Sequence, residues 1–235
     1  MNIRQSNKKI PMKSFPPWER PLFLIIMTFV GGYMNAYTYI TRNKILANMH
    51  TANMSKLGIN IALGEFRYAL HFFAPIISCM LGVVFSNWIR HIVTKNKYNK
   101  DWRIVALLLE SIGLFCIGLI PLSTPDYLVT NLVSFFMGYQ LYLFRKCLDI
   151  SHNTTICTGN IRTVGELLFD ALEKRSLDSI KKLLIFVFLT FSFSLGTIPG
   201  TLISLSISTK AVWVCSFILL GQALWMNKYD LKYEK

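Results

Sequence analysis

The chain has no CxxC pair, and its five cysteines (Cys79, Cys116, Cys147, Cys157 and Cys215) are scattered. That excludes a disulfide framework and a zinc-finger spacing, and the cysteines read as small buried hydrophobes. The four histidines, His50, His71, His91 and His152, form no HExxH, and no paired carboxylates accompany them, so a catalytic metal centre is not expected. GxSxG, P-loop and GxGxxG patterns are absent. With no nucleophile–base pair either, the chain is not expected to be an enzyme, and no cofactor is implied. Alternation at period two is missing, which excludes a β-barrel. Acidic residues are scarce, 12 Asp and Glu against 25 Lys and Arg, for a net charge of +13.

What is present is apolar. Hydrophobic residues make up 53% of the chain and the mean hydropathy is +0.42, too high for a soluble domain with a charged surface. The positive charge does not mark a nucleic-acid binder, because Lys and Arg cluster between apolar runs instead of along one face. Six runs approach the roughly 20 residues that a helix needs to cross about 30 Å of hydrocarbon: 21–41, 70–91, 102–122, 127–148, 183–204 and 211–226. Trp18, Trp88, Trp102, Tyr127, Trp225 and Tyr229 gather at their ends, as an interfacial belt does. The first run is too long, and lacks the small-residue cleavage site, to be a secretory signal. The lipid bilayer is the expected partner.

These runs divide the chain into a polar, basic and disordered tail over 1–20, one membrane domain over 21–226, and a second tail over 227–235. With both tails cytoplasmic, all but five of the 25 Lys and Arg fall on the inside; Arg42, Lys44, Lys56, Arg67 and Lys210 fall outside. That bias orients a multi-pass protein of the cell membrane.

A repeat organises the domain. The stretch from Gly31 to Gly64, GGYMNAYTYITRNKILANMHTANMSKLGINIALG, has a weaker copy from Gly138 to Leu172, GYQLYLFRKCLDISHNTTICTGNIRTVGELLFDAL. Gly32-Tyr33 answers to Gly138-Tyr139, and Thr51-Ala52-Asn53-Met54 to Thr158-Gly159-Asn160-Ile161. Phe73, Leu81 and Gly82 likewise resemble Phe188, Leu195 and Gly196. Each copy is one span, the motif and two further spans, 21–122 and 125–226. Because three is odd, the second copy enters from the opposite side. The expected fold is therefore an all-α polytopic membrane protein of six transmembrane helices in two inverted three-helix repeats. Each repeat carries a short re-entrant or interfacial helix. Such symmetry is common in transporters, whose sites lie near the midplane between the repeats.

Thr51-x-Asn53 and Thr158-x-Asn160 read as helix starts, with side-chain oxygens accepting from free N–H groups of the first turn. Two half-helices meeting end to end would favour an anionic or polar solute. The alternative is an amphipathic helix in each interface; Lys56 and the polar face Arg162, Glu166, Asp170 argue that way. Glu110, deep in LLLESIGLFCIGL, is an intramembrane carboxylate and so a candidate ion or proton site, or else a hydrogen-bond partner of Asn35, Asn131 or Gln140. Asn35, Gln140 and Gln222 are amides in apolar runs, solute contacts or glue between helices. Arg145 and Asp149, at the inner end of the fourth run, read as an anchor. Thr197-Ile198-Pro199-Gly200 should kink or break the fifth run.

The residues Gly31-Gly32-Tyr33-Met34-Asn35-Ala36, Thr51-Ala52-Asn53 with Leu57-Gly58, Gly138-Tyr139-Gln140, Arg145, and Thr154-Thr155 with Thr158-Gly159-Asn160 together resemble the YoaK-type family of uncharacterised bacterial transmembrane proteins. Asn35 stands where that family has an acidic residue, Ala52 replaces a glycine, Leu141 replaces an asparagine, and Lys56 takes a neutral position. The resemblance implies membrane topology and says nothing of chemistry. The expected function is a permease or channel-like transporter of a small polar or anionic solute. Its candidate site is Asn35, Thr51, Asn53, Glu110, Gln140, Thr158 and Asn160. A non-transporting membrane scaffold is the alternative, and a homo-oligomer fits either.

Overall fold

Proline and side-chain caps set where several helices begin. In the computed structural model, which describes residues 15–42, 44–96 and 101–233, α1 (Pro21–Thr41) starts on Pro21, where the missing N–H is not needed and φ is already helical. Asp101 caps α4 (Trp102–Gly118) by accepting from Arg103 N at 2.8 Å. Ser176 caps α7 (Leu177–Ile207) by accepting from Ser179 N. The other helices are α2 (His50–Ala62), α3 (Phe66–Lys95), α5 (Asp126–Leu143), α6 (Thr158–Lys174) and α8 (Val212–Tyr233). A two-residue hairpin, β1 (Lys146–Cys147) with β2 (Ile150–Ser151), follows α5.

The chain is all-α and membrane-like, but the helices depart from the six apolar runs. Among the described residues, three stretches are long and apolar enough to cross a bilayer: Pro21–Thr41, Phe66–Lys95, and Leu177–Tyr229, which takes in α7 and most of α8. At 17 residues α4 reaches about 26 Å, short of the hydrocarbon thickness, because the chain turns before Pro121. Helix α5 stops at Leu143 and not at Leu148: the hairpin begins there, and Leu148 and Asp149 take φ of 50° and 64°. Helix α7, at 31 residues, is longer than its apolar run and is not interrupted at Pro199. Of the tail expected over 1–20, residues 1–14 lie outside the described ones, while Pro17–Glu19 forms a 3₁₀ turn that buries Pro17.

Helix α1 is the innermost. Of its apolar window 72% is buried, against 33% for α3, whose remaining apolar side chains face outward as they would toward lipid. Two crossings hold the bundle, and glycine makes both. A Cβ on Gly32 would overlap the Phe193 carbonyl, and one on Gly196 the Phe29 carbonyl, which locks α1 to α7. A Cβ on Gly138 would overlap the Cys79 carbonyl, and one on Gly82 the Phe135 carbonyl, which locks α5 to α3. Without a side chain the backbones approach to van der Waals contact, the means by which apolar helices associate without a hydrophobic drive.

Polar contacts come in matching pairs as well. Tyr33 Oη donates to Ala211 O at 2.8 Å, and Tyr139 Oη to Ala106 O at 3.1 Å. Where α4 meets α8, Ser111 Oγ donates to Ser216 O at 2.8 Å and Ser216 Oγ to Ser111 O at 2.7 Å. Each of these hydroxyls is buried, so the bonds satisfy donors that have no water to turn to.

Candidate functional site

Two loops, 42–49 after α1 and 144–157 after α5, fold inward and meet. The second is traceable bond by bond. Leu148 N donates to Glu19 O at 3.2 Å, beside the start of α1. Farther on, the Thr154 carbonyl lies against Gly31, halfway along α1, where a Cβ would collide with it. The loop therefore enters from one end of α1 and reaches its middle. Between these points His152 Nε2 sits 2.9 Å from Thr28 Oγ1. Thr28 donates its own proton to Leu24 O at 2.7 Å, which makes His152 the donor and leaves Nδ1 unprotonated. Gln140 Nε2 on α5 donates to Met27 O (3.0 Å) and to Thr154 Oγ1 (3.1 Å), fastening helix, loop and helix together. Asn48 Nδ2 in the first loop donates to Thr155 O at 2.8 Å; this bond is where the loops touch.

The Thr-x-Asn motifs start α2 and α6, but neither threonine caps. The N-cap residues are Met49 and Cys157, and no side chain caps either helix. Thr51 and Thr158 are exposed and the asparagines are buried. Asn160 turns back on its own loop, accepting from Asn153 N at 2.9 Å and donating to Asn153 O at 2.7 Å. These two bonds replace a cap because they fix the loop's reversal before the helix begins. Asn53 is equally buried, but its Nδ2 has no partner among the described residues.

Of the seven predicted site residues, Gln140 and Asn160 belong to this meeting place, and Asn53 is buried on α2, the helix that follows the first loop. Asn35, on α1, is buried with Oδ1 unpartnered. Glu110 lies apart on α4, fully buried, with both carboxyl oxygens unpartnered. It faces Tyr139 and Cys215 and makes none of the expected hydrogen bonds to Asn35, Asn131 or Gln140.

Sequence reading missed several members. His50 is half-buried at the start of α2, both ring nitrogens lack partners, and burial lowers its pKa. Its place before the Thr-x-Asn turn, matching His152, was the available signal. Asn48 had none, being one asparagine in a polar loop. Arg42, counted among the outside charges, is fully buried: it donates to Thr124 O at 3.3 Å and lies 3.6 Å from Asp126, joining the ends of α1 and α5. Asp149 pairs with Lys146 at 3.6 Å and not with Arg145. Burial also pushes the Cys157 thiol up to about 11, which keeps it protonated and unreactive.

Chemically, the meeting place offers amide and imidazole donors and acceptors with no fixed charge, and several have open valences. That arrangement can hydrogen-bond a polar guest or ordered water. Among the described residues no group of three His, Cys, Asp or Glu could hold a metal ion. No curated protein and no solved structure matches the chain. A family model does match, over residues 23–225, in agreement with the YoaK-type resemblance. With nearly the whole membrane-like region inside that match, the chain belongs to the family described as a protein of unknown function (DUF1275).

Proposed function

We propose that this protein is a permease or channel-like transporter of the cell membrane that passes a small polar or anionic solute between its two inward loops. The observation that carries this reading is the Asn48–Thr155 bond, which joins two loops beside buried amides and imidazoles with open valences. Irregular backbone at membrane depth is tolerated where it lines a cavity or is buried in protein. The topology belonging to this reading is six crossings in two inverted repeats, both tails cytoplasmic. The paired contacts support it: Gly32 with Phe193 answers to Gly138 with Cys79, Gly196 with Phe29 to Gly82 with Phe135, and Tyr33 with Ala211 to Tyr139 with Ala106.

Helices α2 and α6 do not cross in this reading. They return along the outer turns of α3 and α7. At 31 residues, α7 exceeds the hydrocarbon by about ten residues, and Asp178, Lys181 and Lys182 near its start belong to the headgroup layer. Beside them α6 presents Arg162–Glu166 (2.9 Å) and Lys174–Asp170 (2.9 Å) to the surface. The loops are thus re-entrant and the helices interfacial.

Flux of polar and anionic solutes into proteoliposomes tests the reading. Asn53→Ala is expected to lose flux at the loops, and Glu110→Gln to lose the ion coupling that a buried carboxylate on α4 would supply, while both melt like the wild type. Absence of flux across a broad solute panel sinks transport, and undiminished flux in both variants removes the site.

A second reading, a non-transporting scaffold, is favoured by the exposed Arg162–Glu166 face of α6 alone. One stable partner that co-purifies and is lost on Glu166→Lys would support it.

A further inference from the structure

Away from the place where the loops meet, and reached by the first residues of the second loop, a basin of about 560 Å³ lies at the end of the molecule where α1 and α4 start and α3 and α5 finish. Its walls are aromatic and basic, and its charges are unevenly matched. Arg103 is accounted for: its Nη1 lies 3.0 Å from Asp101, and its guanidinium stacks on Trp18 at 4.2 Å and Trp102 at 4.9 Å. Lys146 is accounted for by Asp149. Arg90 has no carboxylate partner among the described residues; its Nη1 donates to Tyr142 Oη at 3.0 Å and its guanidinium faces the Trp102 ring at 5.9 Å. Arg145 lines the basin with no side-chain partner among the described residues. The remaining acid, Glu19, is partly buried beside Asp149, and burial first and that neighbour second raise its pKa.

From this geometry we infer that the basin is a binding site for a phosphate-bearing anion, gripped by Arg90 and Arg145 against the Trp18 and Trp102 walls. Guanidinium forks match phosphate oxygens two at a time, which a lysine point charge does not. Tryptophans at this depth place the group at headgroup level, and basic pockets between helices on the cytoplasmic side suit anionic lipid heads. The same chemistry would hold a free phosphate, so the source is a matter for experiment. The inference stands independently of transport, since the basin uses only the outer end of the second loop and none of the residues at which the two loops meet.

The test titrates the full-length protein in a neutral detergent with short-chain phosphatidylglycerol, short-chain phosphatidylcholine and inorganic phosphate, reading tryptophan fluorescence and melting temperature. Saturable binding of phosphatidylglycerol, of phosphate or of both is expected, with phosphatidylcholine weaker. Arg90→Gln and Arg145→Gln should each weaken it about tenfold, while Lys210→Gln, outside the basin, binds as the wild type does. Phosphatidylglycerol alone identifies a headgroup site; phosphate binding as well identifies a site open to soluble anions. Binding of neither, equal binding of phosphatidylcholine, or full binding by correctly eluting Arg90→Gln and Arg145→Gln variants overturns the inference.

Discussion

The two motif arms share a sequence pattern and differ in how firmly they are tied. The second arm, 144–174, is fastened at every step: a hairpin, Leu148 to Glu19, His152 to Thr28, Thr154 to Gln140, and a double bond from Asn160 to Asn153. Among the described residues the first arm, 42–62, is tied only near its root, by Arg42 to Thr124 and Asp126, a 3.4 Å contact from Ala47 N to Thr38 Oγ1, and Asn48 to Thr155, all at or before Asn48. It leaves His50 and Asn53 Nδ2 without partners. One pattern thus yields an anchored arm and a looser one. Among the described residues the anchored arm keeps one buried open valence, His152 Nδ1, while the looser one, beyond Arg42 at its root, keeps four, on Asn48, His50 and Asn53, so a guest would be gripped mainly where local stability is low.

The steepest test of that contrast uses glycine. Gly31→Ala drives a methyl into the Thr154 backbone and should abolish the folded monodisperse protein or cost several kcal/mol. Gly58→Ala, in the first arm with open space around it, should be neutral or gain up to about 1 kcal/mol from helix propensity. Melting temperatures in detergent separate the two outcomes, and equal losses would erase the contrast.

Next come the matched asparagines. Asn160→Ala breaks two bonds and strands buried backbone groups of Asn153, about 2–3 kcal/mol, whereas Asn53→Ala should stay within about 1 kcal/mol because no Nδ2 bond is lost. Comparable destabilisation by both would show that the first arm is tied in some other way.

The imidazole is the next tie to cut. His152→Ala removes the bond to Thr28 Oγ1 and the edge contact on Phe186 and should cost about 1–2 kcal/mol. Unchanged melting in detergent would show that this tie does not anchor the arm. The smallest effect belongs to the outer face of α6, where Arg162→Ala, on a side chain 82% exposed, should move stability by less than about 0.5 kcal/mol.

How far this was legible in the sequence depends on which atoms make the contact. The Gly-Tyr pairs and the Leu-Gly pairs were legible as a repeat, and Gly32, Gly138, Gly82 and Gly196 within them are the residues at which the helices cross. All-α membrane character followed from apolar length. The inward path of 144–157 was hidden, since its decisive partners are carbonyls, Thr154 O on Gly31 and Glu19 O on Leu148 N, which no letter encodes. Apolar letters also continue past Leu143, so the end of α5 was read late. The capping role given to Thr51 and Thr158 failed because a Thr-x-Asn turn permits either residue to face inward, and here the asparagines do. Arg42 looked like loop charge because the Asp126 that accompanies it lies far along the chain.

The glycine crossings have a kinematic consequence. Helices in backbone contact have no slack to slide, so any rearrangement that preserves these contacts must carry α1 with α7 and α3 with α5 as two stiff blocks. The seam left to shear is the one between α4 and α8, where two serines exchange bonds with each other's carbonyls. Spin-label distances across that seam that vary while those within each block hold constant would display the hinge; distances fixed in both would describe a protein that works without moving.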